Sequence, residues 1–177
     1  MKNLPVREMT MADCVYVCTN MREDDFNETS SLTYAKTREA MAVVVMNQGG
    51  ESYTLLNRKG KPVLIGGTYY THPNLGTIWL IATDEITNRD WWVATYFMKN
   101  LIEIMFDNET AHRVQAYSIG WRKVAHKWLQ KGLGLVKEGQ LRGFAANGYD
   151  VLIFGKIKEM HNGERRRGWW RWRCCRS

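Results

Sequence analysis

Apolar and polar positions alternate along this chain in two rhythms, and each change of rhythm marks an element. Residues 6–10 read as a short opening strand. Thr10 followed by Asp13 is a helix start: the hydroxyl accepts from a first-turn amide and the acid sits near the positive helix end. Ala12, Val15, Tyr16 and Val17 carry that helix to Arg22. The polar residues Asp24, Asp25, Asn27, Glu28 and Thr29 predict a surface loop. Ser30 or Ser31 then opens a second helix through Ala35, Ala40 and Met41, ended by Asn47-Gln48-Gly49-Gly50.

The rhythm next turns extended. Residues 51–57 and 62–70 are predicted strands joined by Arg58-Lys59-Gly60-Lys61, and Gly66-Gly67 inside the second suggests a bulge. His72-Pro73-Asn74 turns into a third strand, 75–86, whose run Ile78-Trp79-Leu80-Ile81 suits a central position buried on both faces. A long helix, 88–106, carries Trp92, Tyr96, Leu101, Ile104 and Met105 near helical spacing. Strand 112–119, a helix 121–131 stopped by Gly132, and two antiparallel strands, 135–141 and 149–157, complete the pattern. The order β-α-α-β-β-β-α-β-α-β-β predicts an α/β (α+β) mixed sheet flanked by about four helices, as one domain over 1–158 and a tail over 159–177.

Composition narrows the classes. The 177 residues are 45% hydrophobic and 24% charged, which excludes disordered, collagenous and coiled-coil chains. No apolar run is long enough to span a membrane, and the first residues lack a signal peptide, so a protein that is not secreted is expected. The net charge of +7 is concentrated after residue 159, where six arginines meet a single Glu. Cys14 and Cys18 are four apart on a helix, and Cys174 and Cys175 are adjacent. Neither spacing suits zinc, so no metal is expected, and the thiols read as free in a reducing compartment.

Trp128-Leu129-Gln130-Lys131-Gly132-Leu133, then Val136-Lys137-Glu138-Gly139 and a final apolar strand, resemble the ending of the GNAT N-acetyltransferase family. The resemblance runs from Val6 to Ile157 and implies a GNAT-like fold. It also implies an acyl-CoA pyrophosphate site at Arg89-Asp90-Trp91-Trp92-Val93-Ala94, where anions meet backbone amides at a helix N-terminus. Arg89 and Ala94 match the ends of the family motif, whereas Trp92 stands at its Gly position. The general-acid Tyr of the family corresponds to Trp128, whose indole N–H donates a hydrogen bond but is no usable acid. Tyr117 and His126 are nearby and could substitute, but off the motif position they read first as a strand-end aromatic and an exposed helix His. Asp84 or Glu85 could serve as base but reads first as a helix-capping or surface carboxylate.

These departures predict a degenerate scaffold, a pseudoenzyme with no confident catalytic residue and no cofactor. In style, and in the segment Ile81-Ala82-Thr83-Asp84-Glu85-Ile86, the chain also resembles internal virion protein A-like proteins of short-tailed bacteriophages (podoviruses). That resemblance implies a non-enzymatic structural component of the virion, present also in the host cytoplasm during assembly. Its partners would be other virion proteins, in multiple copies of a symmetric assembly. The alternative is an acyl-CoA-dependent N-acetyltransferase with a rearranged cofactor loop, using acetyl-CoA. In the tail, Arg165, Arg166, Arg167, Trp169, Trp170, Arg171, Trp172 and Arg173 interleave cations with aromatic rings, which suits a protein interface first and nucleic acid second.

Overall fold

The structure, a computed structural model, describes residues 4–158. The tail cluster Arg165 to Arg173, with its expected partners, lies outside the described residues, as do Cys174 and Cys175. The elements are β1 (Val6–Glu8), α1 (Met11–Thr19), α2 (Glu23–Leu32), α3 (Arg38–Met46), β2 (Glu51–Leu56), β3 (Pro62–His72), β4 (Asn74–Ala82), α4 (Asn88–Asp107), β5 (Ala111–Ile119), α5 (Lys123–Lys127), β6 (Val136–Leu141) and β7 (Val151–Ile157). A π-helical turn, Trp128–Gly132, continues α5. The mixed α/β class and the flanking helices are as expected.

Seven strands form one sheet in the order β1-β2-β3-β4-β5-β7-β6, antiparallel except where β4 runs beside β5. That parallel pair needs a crossover, and α4 supplies it. Side chains alternate across the sheet. Ile78, Val114, Ala116 and Phe154 pack beneath Phe97, Met98, Leu101 and Ile102 of α4 on one face. Ile65 and Ile81 meet Cys14, Val17 and Cys18 of α1 and Met41 and Val45 of α3 on the other. Cys14 and Cys18 are thus packing residues in a buried layer.

The start of α1 is where the sequence places it. Thr10 accepts from the Asp13 amide while the Asp13 carboxylate receives the Thr10 amide, a reciprocal cap, and Arg7 pairs with Asp13 at 2.8 Å. Thr87 and Asp90 make the same box at α4. Two expectations are corrected. The loop drawn through Asp24–Thr29 is helix α2, and the expected single second helix is two, α2 and α3, separated at residues 33–37. Gly66-Gly67 is not a bulge: the register there is regular, opposite Trp79 and Leu80. The glycines are needed for close approach, because a Cβ on Gly67 would lie 2.0 Å from the Glu51 carbonyl oxygen. No helix among the described residues is long and apolar enough to cross a membrane.

Candidate active site

The site grows from a failure of pairing. β4 and β5 are joined from Asn74 to Thr77 and from Ala111 to Gln115, and beyond that point they part. Ile78–Ala82 stay paired to β3, and Ala116–Ile119 to β7, so the strands diverge with their facing edges unmatched. Buried backbone amides need partners. At the wide end α2 supplies them: Asp25 Oδ2 accepts from the Ala82 amide at 2.9 Å, and Glu28 Oε1 accepts from the Ile119 amide at 2.9 Å. Between the pairing point and this plug the sheet holds a gap.

Two cavities meet at the gap, one on each face. On the α4 side a cavity of about 390 Å³ is lined by Arg22, Asn88, Trp91, Ala125, Trp128 and neighbours. On the α3 side a cavity of about 780 Å³ is lined by Leu32, Met41, Val44, Tyr69, Phe144 and neighbours. Glu28, Ile78, Trp79, Leu80 and Tyr117 border both, so the gap is a passage through the sheet.

The polar groups of the passage form one network. Asp25 is buried and accepts from Arg22 (Nε 3.1 Å, Nη2 2.8 Å) and from Arg122 Nη2 at 2.8 Å. Glu28 Oε1 also accepts from Ser118 Oγ at 2.7 Å, while its Oε2 lies 3.5 Å from Arg122 Nη1. The Arg122 side chain is only 10% exposed, and its Nη1 has no hydrogen-bond acceptor among the described residues. Burial pushes the Glu28 carboxyl above the usual carboxylate range; the Arg122 charge and the two hydrogen bonds pull less strongly the other way. Between the ordinary value of 4.5 and the elevated one, the folded chain keeps a proton on Glu28 that the unfolded chain has released, and above the elevated value Glu28 is a carboxylate in both. That contribution to stability is present at low pH and is lost as pH rises past the ordinary value of 4.5 and through the elevated one. Chemical denaturation across this range should find that Glu28→Gln loses less stability with rising pH than the native chain.

The expected site residues fall in different places. Residues 89–94 are not a loop but the first turns of α4. Arg89 is exposed, and Ala94 is buried against Leu55 and Val63, away from the passage. Trp92 is 69% exposed, stacks on Tyr96 and does not line either cavity. Its neighbour Trp91 lines the cavity instead, edge-on to Trp128 and beneath the Arg22 guanidinium. One residue turns a helix by about 100°, which separates the two indoles. Accordingly, Trp92→Ala should leave acetyl-CoA affinity unchanged in calorimetric titration, while Trp91→Ala should change it several-fold.

Trp128 does line the cavity, with its indole N–H given to Thr95 Oγ1 at 2.8 Å, a wall rather than a proton source. His126 was expected at the surface; it is buried, its Nε2 is 2.9 Å from the Ile119 carbonyl, and burial lowers its pKa. With that carbonyl as acceptor the Nε2–H is committed, and His126 does not line the passage. Tyr117 does line it. Its hydroxyl oxygen accepts from Gln115 Nε2 at 3.0 Å, which leaves its own proton free to donate. Asp84 and Glu85 are exposed, Glu85 paired with Lys61. The carboxylates at the passage are Asp25 and Glu28, which the polar pattern had assigned to a loop. A signal existed in their spacing of three behind Arg22, which sets all three on one helix face. No cluster of His, Cys, Asp or Glu suited to a metal occurs among the described residues.

No family model matches the sequence, and neither does any curated protein. Solved structures do match. A GNAT-family acetyltransferase from Bacillus anthracis superposes with a TM-score of 0.68 at 12% identity, over 88% of this chain and 95% of that one. A ribosomal-protein-alanine N-acetyltransferase from Brucella melitensis gives 0.64 at 17% identity, over 86% and 98%. A phosphinothricin acetyltransferase from Sinorhizobium meliloti, solved with AcCoA, gives 0.64 at 15% identity, over 90% and 91%. These neighbours correct the expectation of a non-enzymatic bacteriophage component, because each is named as an acetyltransferase and none as a virion protein. The chain has the fold of the GNAT acetyltransferases.

Proposed function

We propose that this protein is an acyl-CoA-dependent N-acetyltransferase whose cofactor segment is the capped first turn of α4. The observation that carries the reading is the passage between β4 and β5, where Tyr117 and Glu28 border both cavities. Acetyl-CoA is assigned to the α4 side. The free strand edges there suit the extended amide-bearing arm of the coenzyme, as an added strand. The same cavity reaches Asn88 at the start of α4. The Thr87–Asp90 cap takes the amides of Thr87 and Asp90, and those of Asn88 and Arg89 have no partner among the described residues. Two amides and the positive helix end remain for a phosphate. The Asp90 carboxylate beside them weakens the anion site relative to an uncapped one.

The chemistry follows from the groups at the passage. An amine on the α3 side passes its ammonium proton to the Glu28 carboxylate, a transfer eased because burial disfavours the ammonium form. The nitrogen lone pair then attacks the thioester carbonyl. A C–N bond forms, the C–S bond breaks, the leaving thiolate takes the Tyr117 hydroxyl proton, and the acylated nitrogen sheds its second proton, through solvent, back to the Tyr117 oxygen. The free N–H of Arg122 is a donor for the carbonyl oxygen as charge builds on it. The net products are the acetamide, CoA thiol and one proton, the last released to solvent when Glu28 returns to its carboxylate.

Calorimetric titration with acetyl-CoA, followed by thiol-release assays with a panel of amines, tests this. Micromolar binding and amine-dependent thiol release are expected. Absence of binding at millimolar acetyl-CoA would overturn the reading.

A further inference from the structure

The cavity on the α3 side has an unusual lining. Leu32 of α2, Met41 and Val44 of α3, Phe144 of the β6–β7 connection, and Tyr69 and Trp79 of the sheet form its walls. Among the described residues that line it, Glu28 is the one charged side chain, and it sits where the cavity joins the passage. At about 780 Å³ the cavity takes a body of drug-like size. Its apolar walls reward apolar surface, and although Thr29, Thr33, Asn47 and Gln48 also border it, no second carboxylate is there to pair a second cation.

We infer that the acceptor is a primary amine carried on a single apolar, aromatic-sized body, an arylalkylamine. The ammonium group is drawn to Glu28 and the ring lies among Leu32, Met41, Val44 and Phe144. A polyamine would bury further cations against apolar walls with no acid to meet them. An α-amino acid would bring its carboxylate beside Glu28. Both arrangements carry the desolvation cost of an unpaired charge. The inference rests on the acetyltransferase reading for its chemistry, but the shape and charge of the cavity can be tested apart from turnover.

The probes are 2-phenylethylamine, spermidine and glycine. In thiol-release assays with acetyl-CoA, 2-phenylethylamine should give a kcat/KM at least about 100-fold above the other two, the scale on which buried unmatched charge discriminates. Val43 borders the cavity and is 61% exposed, so Val43→Lys introduces a cation without disturbing the core. It should raise the KM for 2-phenylethylamine about tenfold through like-charge repulsion, with kcat preserved. Direct binding of 2-phenylethylamine, followed by NMR line broadening without acetyl-CoA, should weaken in the same variant. Acetyl-CoA binding together with faster acetylation of spermidine or glycine would overturn the acceptor class and leave the acetyltransferase reading standing. Binding of 2-phenylethylamine that Val43→Lys weakens, in a protein that ignores acetyl-CoA, would support the amine cavity and remove the acetyltransferase. Binding of 2-phenylethylamine unaffected by Val43→Lys would overturn the location.

Discussion

Replacing Tyr117 with Phe is expected to lower kcat by about 10²- to 10⁴-fold, the span over which a positioned proton donor acts. The substitution removes one oxygen from a ring that borders both cavities and keeps the ring itself. Acetyl-CoA affinity should therefore stay within a factor of two or so, as for any group that acts only when the C–S bond breaks. Structure should change little too. Gln115 Nε2 donates to the Tyr117 hydroxyl but also lies 3.4 Å from Thr77 Oγ1, so it keeps a partner. Stopped assays of thiol release under saturating acetyl-CoA give the readout. A kcat within threefold of the native value would remove Tyr117 from the reaction and return the proton to solvent.

The largest effect on folding is expected at Asp25. Its carboxylate receives two guanidinium groups and the Ala82 amide, and its side chain is 3% exposed. Asp25→Ala leaves Arg122, itself 10% exposed, and the Ala82 N–H without that acceptor. Breaking a buried pair from one side costs about 3–5 kcal/mol, because the remaining charge stays in low dielectric. In urea the midpoint should fall with little change in slope, since the surface exposed on unfolding is nearly the same. Asp25→Asn keeps the shape and one acceptor oxygen and should cost less. A loss below about 1 kcal/mol for Asp25→Ala would mean that water enters the passage and solvates both arginines.

How far the sequence could be read depended on where each element draws its stability. The extent of α4 was legible, but of the residues read at helical spacing only Leu101 and Met105 face the sheet, while Trp92, Tyr96 and Ile104 are exposed and the buried stripe includes Phe97 and Met98. The strands were legible because their alternation matches the two packed faces. α2 was not, since Ser31 and Asp25 are the residues it buries and its apolar stripe is missing. Its partners are Ala82, Ser118, Ile119 and Arg122, reached across 57 to 97 residues of chain. A local window cannot see such bonds. The same limit hid the site. Glu28 reads as loop polarity in the sequence, and the motif singles out Trp92 and not Trp91, because only the start of α4 decides which indole faces the cavity.

The parting of β4 and β5 also leaves a mark that can be followed in time. Along β4 the amides alternate sides: Thr83 N–H goes to Val63 on β3, and Ala82 N–H goes to Asp25 across the gap. Counting back two places puts the Leu80 amide in the gap, and counting back from Ile119, which meets Glu28, puts the Tyr117 amide there as well. These amides belong to the middle of a seven-stranded sheet yet have the exchange environment of an edge. In deuterium exchange they should lose protons far faster than their even- and odd-numbered neighbours bonded to β3 and β7, so that the centre of the sheet carries two labile positions. An extended substrate arm laid along the gap would slow the exchange of those two amides first.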